Sequence, residues 1–259
     1  MRHQIISENR DYWTGRASSY SAINQSELQS GQRFKWREEI LKRISRNFPG
    51  KPVSGIRVLE VGTGPGFFAI ILAEEGFQVT AIDLTPAMLE EAKRNAGPLA
   101  SSIDFLEMNA QALSFEDDSF DVVITRNLTW NLPDPETGYR EWCRVLKPEG
   151  LLLNFDANWY RYLYDEDARK GYEKDRDNTA EQGLEDGNIG VNFDVMEDIA
   201  RRIPLSSVLR PQWDRNILNT FGCSVHTDED VWKNVWSEVE KVNYASTPLF
   251  LVEAVKRAG

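Results

Sequence analysis

RVLEVGTGPGFF, residues 57–68, joins a short apolar run to three closely spaced glycines and the first turn of a helical pattern. Val58, Leu59 and Val61 are apolar and mostly β-branched, which is typical of a buried strand. Glycine lets the backbone adopt positive φ and leaves no side chain between the backbone and a ligand. A strand, a glycine turn and a helix N-terminus in this order predict a cradle for a nucleotide-like cofactor at the carboxyl edge of a parallel sheet.

The spacing of the glycines indicates which cofactor fits. A second strand is predicted over residues 78–82, and it ends at Asp83, whose carboxylate can accept hydrogen bonds from two ribose hydroxyls. The dinucleotide fingerprint G-x-G-x-x-G has its third glycine where Phe67 stands here, and the third glycine of this loop comes one residue early, at Gly66. Glu60, two residues before the first glycine, is poorly placed beside a pyrophosphate but well placed beside a positive charge. A cofactor with a ribose, an ammonium and no phosphate fits better, and S-adenosylmethionine is such a cofactor.

Four segments in order carry a family resemblance: EVGTGPG at 60–66, AIDLTPAMLEEA at 81–92, FDVVIT at 120–125 and RVLKPEGLLL at 144–153. They resemble the motifs of class I S-adenosylmethionine-dependent methyltransferases, in particular the small-molecule branch that includes ubiquinone and menaquinone biosynthesis enzymes. The resemblance implies an α/β fold, a Rossmann-like doubly wound sheet of seven strands whose last strand is antiparallel. It also implies a helical N-terminal segment, an inserted lid after the fifth strand, and S-adenosyl-L-homocysteine as product.

The predicted organisation has four parts. Residues 1–50 form an N-terminal helical cap, with a helical pattern over 27–48; residues 51–157 form the cofactor-binding core; residues 158–208 form a substrate lid; and residues 209–259 complete the core. The basic run from Arg33 to Arg43 is interpreted as the solvated face of a helix.

The candidate cofactor-binding residues lie in the N-terminal segment, the glycine loop and the ends of the following strands. They are Tyr20, Glu60, Gly62, Thr63, Gly64, Gly66, Asp83, Leu84, Met88, Asn109, Ala110, Gln111, Arg126 and Asn127. Leu84 is placed to lie against adenine, and the resemblance implies that Tyr20 touches the methionine end. Packing of Trp13 and Tyr20 onto the sheet explains these two aromatic residues equally well. Where the family usually has an aspartate this chain has Asn109, whose carbonyl can accept from the adenine amino group without a charge.

Candidate substrate-binding residues follow the fourth and fifth strands, where open α/β sheets bind their ligands. They are Trp130, Asn131, Trp159 and Tyr160. The aromatic cluster after the fifth strand is typical of the wall of an organic-substrate pocket, and packing against the domain explains it equally well.

The segment 165–198 is rich in acidic residues and is interrupted by Gly183, Gly187 and Gly190, so it is interpreted as the inserted lid. If its acidic charge faces the pocket, a cationic or neutral substrate is favoured. If the charge faces solvent, which is the more common situation, it says nothing about specificity.

Methyl transfer by in-line displacement needs donor and acceptor held in alignment and does not require a dedicated base for every acceptor. Asp156, His226 and Tyr160 are candidate bases, but none has a partner visible in the sequence, so the catalytic residues stay unknown. The sequence therefore predicts a methyltransferase acting on a small organic molecule. A nicotinamide-dependent oxidoreductase and a non-catalytic cofactor-binding module are the alternatives.

Composition narrows the class of partner. The chain has 259 residues, 41% of them hydrophobic, and a formal net charge of −11, which disfavours nucleic acid as a partner. With two cysteines and two histidines, no metal site is expected. No run of about 20 apolar residues and no apolar leader is present, so a cytoplasmic location is expected. The oligomeric state cannot be read from the sequence.

Overall fold

A computed structural model describes residues 2–186 and 192–258. Within these residues a seven-stranded sheet is flanked by helices on both faces. The strands are β1 (Arg57–Val61), β2 (Gln78–Asp83), β3 (Ile103–Glu107), β4 (Phe120–Arg126), β5 (Leu146–Asp156), β6 (Cys223–Asp228) and β7 (Phe250–Lys256). The helices are α1 (Arg2–Gln29), α2 (Gln32–Asn47), α3 (Phe67–Glu74), α4 (Pro86–Ala96), α5 (Pro135–Val145), α6 (Glu166–Glu181), α7 (Phe193–Ala200), α8 (Gln212–Thr220), α9 (Trp232–Val235) and α10 (Glu238–Asn243).

The strand order is β3-β2-β1-β4-β5-β7-β6. Strand β7 pairs antiparallel with both β5 and β6, and the other pairings are parallel. This is the doubly wound sheet with an antiparallel last strand that the resemblance predicted. The order reverses at β1, so ligands are expected beside the carboxyl ends of β1 and β4.

Alternate side chains of the strands pack into two hydrophobic clusters, one on each face of the sheet. On β1, Val58 belongs to the face that packs against α2 and α3, whereas Leu59 and Val61 belong to the face that packs against α5 and α8. Successive side chains of a strand point to opposite faces of the sheet, and both faces are covered by helices here. The central strands are therefore continuous apolar runs in the sequence.

The N-terminal segment differs from the predicted pattern. Instead of one helix over 27–48, α1 is a 28-residue helix that ends at Gln29, and α2 begins after a turn, at Gln32. Ser21 and Gln25 of α1 hydrogen-bond to Asn95 of α4. The long helix therefore packs against α4, and its residues Asn9, Trp13 and Tyr20 line the cavity that opens after β1.

The prediction that the basic run of α2 is a solvated face is wrong for Arg43. This side chain is 3% exposed and forms ion pairs with Glu39, with Asp228 at 2.7 Å and with Glu253 at 2.8 Å. Arg43 thus fastens α2 to β6 and β7 through a buried network, which the spacing of charges alone does not reveal.

The acidic segment contains two helices, α6 and α7, on either side of residues 187–191. Gly183 ends α6 with a φ of +62°, whereas Gly187 and Gly190, the other two predicted interruptions, lie outside the described residues. Helix α7 packs against α1 through a cluster that includes Ile5, Met196 and Ile199. Within the described ranges, no helix is both long and apolar enough to cross a membrane.

Candidate active site

The glycine loop after β1 opens into a cavity of about 1020 Å³, counted to its open mouth. Gly62 has a φ of +70°, which strains any other residue, and a Cβ there would lie 2.8 Å from the side chain of Leu128, which would have to move. Gly64 has a φ of +51° and lines the cavity. We call this space the glycine-loop cavity. Because Gly62 and Gly64 carry no side chain, the backbone at these two positions can approach a ligand closely.

Asp83, at the end of β2, holds the loop in place. Its Oδ2 accepts from the backbone N–H of Gly64 at 2.9 Å, and its Oδ1 accepts from that of Thr85 at 2.8 Å. Burial raises the pKa of the Asp83 carboxyl, and these backbone donors oppose the shift. Each carboxylate oxygen has a second lone pair, so Asp83 can still accept hydrogen bonds from a diol in the cavity.

Glu60, on β1, is 3% exposed and lines the same cavity. Its Oε2 accepts from Thr63 Oγ1 at 2.6 Å and from the backbone N–H of Ala69 at 2.8 Å. Burial raises the pKa of Glu60 to about 7, against these hydrogen bonds. A positive charge in the cavity would favour the ionised form, so this carboxylate suits a cationic ligand.

Thirteen of the fourteen candidate cofactor residues line the glycine-loop cavity. The exception is Gly66, which precedes α3 and faces α4, where a Cβ would lie 3.0 Å from that of Ala92. Gly66 therefore allows the close packing of α3 on α4, and its contact with the cofactor stays a prediction.

Asn109 lines the cavity, but its side-chain oxygen is engaged within the protein. Asn109 Oδ1 accepts from the backbone N–H of Gln111 at 2.9 Å and from Gln111 Nε2 at 3.3 Å. The oxygen predicted to accept from the adenine amino group is thus already used to close a turn, which leaves the amide nitrogen of Asn109 as its free polar group.

Helix α1 supplies further lining residues that were not among the predicted cofactor-binding residues. Asn9, Arg10, Trp13 and Asn24 contribute to one wall of the glycine-loop cavity. Arg126, across the cavity, forms an ion pair with Glu27 near the end of the same helix. The polar and aromatic character of residues 7–20 could have indicated Asn9, Arg10 and Trp13 as lining residues. Such a composition is unusual for a helix that packs only through apolar contacts.

A second cavity, of about 710 Å³ with its mouth, lies beyond the first and is mostly aromatic. We call it the aromatic cavity. It is lined by Trp13, Tyr20, Asn127, Trp130, Trp159, Tyr160, Tyr162, Tyr172, Asp175, Phe193, Asn243, Tyr244 and Thr247. Three of the four candidate substrate residues are in this set, whereas the fourth, Asn131, lines the glycine-loop cavity instead.

The two cavities share Trp13, Tyr20 and Asn127. Trp13 and Tyr20 come from α1, and their rings lie 5.5 Å apart. Asn127 follows β4 with a φ of +55°, and its carbonyl accepts from the indole N–H of Trp130 at 2.9 Å. A ligand in each cavity would therefore meet its neighbour at this shared border.

The three candidate bases lie in different surroundings. Asp156 is fully buried and paired with Arg210 at 2.6 Å, so it supports the structure rather than a reaction. His226 lies on β6 and lines neither cavity. Tyr160 lines the aromatic cavity, and burial raises the pKa of its hydroxyl, which makes it a poor base near neutral pH.

The donor and acceptor groups around the glycine-loop cavity fit S-adenosylmethionine. The glycine backbone leaves room, Asp83 offers acceptors for a diol, and Glu60 offers a negative charge. Asn9 Oδ1 and Asn131 Oδ1 are also buried acceptors there with no donor among the described residues, as expected where a ligand supplies the missing N–H groups.

Comparison with known proteins shows which proteins this chain is similar to. Residues 59–154 match a family model described as a methyltransferase domain. The demethylmenaquinone methyltransferase of Clavibacter sepedonicus is 33% identical over 138 residues, 53% of either chain. The ubiquinone biosynthesis O-methyltransferase of Xanthomonas oryzae pv. oryzae is 36% identical over 102 residues, 39% of this chain and 43% of that protein.

A solved structure extends the comparison beyond the matched domain. Haemonchus contortus phosphoethanolamine N-methyltransferase 2 in complex with S-adenosyl-L-methionine aligns with 91% of this chain and 60% of its own, with a TM-score of 0.57 and 18% identity. At that identity the likeness shows the fold alone. The match to a methyltransferase domain over residues 59–154 agrees with the resemblance, and the chain spans about half or less of the length of the curated relatives it matches.

Proposed function

We propose that the protein is an S-adenosylmethionine-dependent methyltransferase that acts on a small organic molecule by in-line methyl transfer. The observation that carries the proposal is the junction of the two cavities at Trp13, Tyr20 and Asn127. One cavity has the groups that suit the cofactor, and the other is a largely apolar space with a few polar groups, as in small-molecule sites.

In this proposal Asp83 accepts hydrogen bonds from the ribose hydroxyls, Glu60 balances positive charge, and Leu84 and Met88 pack beside the adenine. S-adenosylmethionine supplies an electrophilic methyl group on a sulfonium. The task of the chain is then to align donor and acceptor and to exclude water. Helix α1 serves both purposes, because Trp13 and Tyr20 stand at the border and the helix covers the cavity.

The test is transfer of an isotopically labelled methyl group from S-adenosylmethionine to a small-molecule extract, followed by mass spectrometry. We expect labelled products with the native protein and far less with Asp83→Asn. Tight cofactor binding without any labelled product would contradict the proposal and favour the non-catalytic binding module. Oxidation or reduction of extract components by a nicotinamide cofactor would favour the oxidoreductase.

A further inference from the structure

The aromatic cavity contains one acidic side chain from the lid segment. Asp175 of α6 is 4% exposed, and its Oδ2 accepts from the backbone N–H and the hydroxyl of Ser246 at 2.9 and 2.6 Å. Both of these hydrogen bonds are to Oδ2, and no residue in the described ranges donates to Oδ1. Among the described residues that line this cavity, Asp175 is the one charged side chain.

Two amide oxygens in the same cavity also lack donors. Asn243 Nδ2 donates to the carbonyls of Glu185 at 3.1 Å and Val239 at 3.2 Å, which fixes the amide orientation. Its Oδ1 is left buried with no donor in the described part of the chain, and so is Asn127 Oδ1. Buried acceptors without donors are costly, so the cavity suits a ligand that brings N–H groups.

The aromatic rings near Asp175 favour a positive charge. Tyr162 and Tyr172 stack with ring centroids 4.2 Å apart. The Arg176 guanidinium already lies 5.3 Å from the Tyr172 ring and 6.0 Å from the Tyr244 ring, and it is paired with Asp186. Aromatic faces attract cations, and the attraction is greater where water is excluded.

Building on the function proposed above, we propose that the methyl-acceptor substrate carries an amino group that is protonated at neutral pH and serves for recognition. The ammonium group lies beside Asp175, and one of its N–H groups donates a hydrogen bond to Oδ1 of that carboxylate. The amide oxygens of Asn127 and Asn243 accept from other donors of the same molecule. An anionic phenolate or carboxylate would instead meet the negative charge of Asp175 in a poorly hydrated space.

The first test uses three probes with the same ring and different end groups: phenethylamine, 2-phenylethanol and phenylacetate. Their binding to the protein is measured by calorimetry with and without S-adenosylhomocysteine. We expect phenethylamine to bind about tenfold more tightly than 2-phenylethanol, and phenylacetate to bind least, because only the first gains the charged contacts. Equal affinities, or a preference for phenylacetate, would overturn the proposal.

The second test assigns the preference to Asp175. In Asp175→Asn we expect phenethylamine to lose about tenfold in affinity, while 2-phenylethanol and S-adenosylhomocysteine bind as before. The matched control is Asp177→Asn, which removes the same charge from an exposed position of the same helix and should change nothing. A preference for the amine that survives in Asp175→Asn would contradict the assignment.

The ranking of the three probes is measured on the native protein, so it stands even if Asp175→Asn fails to fold. Failure of S-adenosylhomocysteine to bind would count against the proposed function. Failure of the probe ranking with normal S-adenosylhomocysteine binding would count against the amine substrate alone.

Discussion

Arg126, at the carboxyl end of β4, lies with its Nη2 atom 2.5 Å from Oε1 of Glu27 on α1. The guanidinium also lies over the ring of Trp36 on α2, 4.8 Å from its centroid, and over that of Phe67 on α3, at 4.9 Å. Both charged side chains are largely buried, at 14% and 8% exposure. This pair therefore joins the long N-terminal helix to the sheet edge at the wall of the glycine-loop cavity.

Glu27→Gln should destabilise the protein by about 3 kcal/mol, because it leaves the Arg126 charge buried without its partner. It should also weaken cofactor binding, since α1 carries residues of the cavity wall. Urea denaturation and calorimetry measure the two effects. The control is Glu136→Gln, which breaks an exposed pair with Arg140 and should cost less than about 1 kcal/mol. Equal effects of the two variants would show that Glu27 does not hold the helix.

Gly64→Val should abolish binding of S-adenosylmethionine, because a branched side chain would enter the cavity where the backbone must approach the ligand. The matched control is Gly97→Val, since Gly97 has a similar φ of +52°, has no atom near its Cβ position and lies away from the cavity. Both variants should lose stability from backbone strain at a positive φ, by about 1–2 kcal/mol or more. If Gly64→Val still bound S-adenosylmethionine, the cofactor could not lie against the backbone of the glycine loop.

Asp83→Asn should weaken binding of S-adenosylmethionine about tenfold to a hundredfold, because hydrogen bonds to a charged acceptor are replaced by weaker ones. The control is Asp104→Asn, an exposed carboxylate on the neighbouring strand β3 that lines neither cavity. Titration calorimetry compares them. If Asp83→Asn bound S-adenosylmethionine as tightly as the native protein, Asp83 could not be the residue that binds the ribose hydroxyls.

The stability of the ligand-free protein should depend on Glu60. The pKa of the Glu60 carboxyl is about 7 in the folded protein, against an ordinary value of 4.5 that applies when the chain is unfolded. The folded state therefore binds the proton more tightly. Stability attributable to Glu60 is therefore greatest below pH 4.5 and is lost as pH rises to about 7, by about 3 kcal/mol in total. Glu60→Gln should lose less stability than the native protein between pH 5 and 8 in thermal melts. Parallel curves for the two proteins would contradict this sign.

Cofactor binding should show the opposite pH dependence at the same residue. A cationic ligand favours ionised Glu60, so affinity should fall, by up to about tenfold per unit, as pH decreases below about 7. Calorimetry in two buffers of different ionisation enthalpy should also detect proton release at pH 6.5. In Glu60→Gln the affinity should be lower and less dependent on pH; an unchanged dependence would assign the titration to another group.

The core of the fold was predictable because its signals are local. The apolar run before Gly62, the position of Asp83 after the next strand and the order of the later motifs all depend on residues close in sequence. The bounds of α1 were not predictable, since this helix is held by distant partners such as Arg126 and Asn95 rather than by an apolar periodicity. The contact between Cys143 and Cys223 could not be predicted for the same reason. Their sulfur atoms lie 3.5 Å apart, but the two residues are 80 positions apart in the sequence.

The candidate site shows the same division. Glu60, Gly64 and Asp83 could be identified because strand ends and a glycine turn determine where they lie. Most of the aromatic cavity could not be identified from the sequence. Its residues Tyr172, Asp175 and Tyr244 come from α6 and from the segment after α10, and they meet only in the folded protein. Asn109 was correctly placed near the cavity, but its hydrogen bond to Gln111 depends on a turn that the sequence does not specify.

Titration of the purified protein with S-adenosylmethionine, and separately with NADH, shows which cofactor the glycine-loop cavity binds. We expect micromolar binding of S-adenosylmethionine with one site per chain, and no detectable heat with NADH. Binding of NADH without binding of S-adenosylmethionine would contradict this expectation, because Gly62, Gly64 and Asp83 would then form a dinucleotide site.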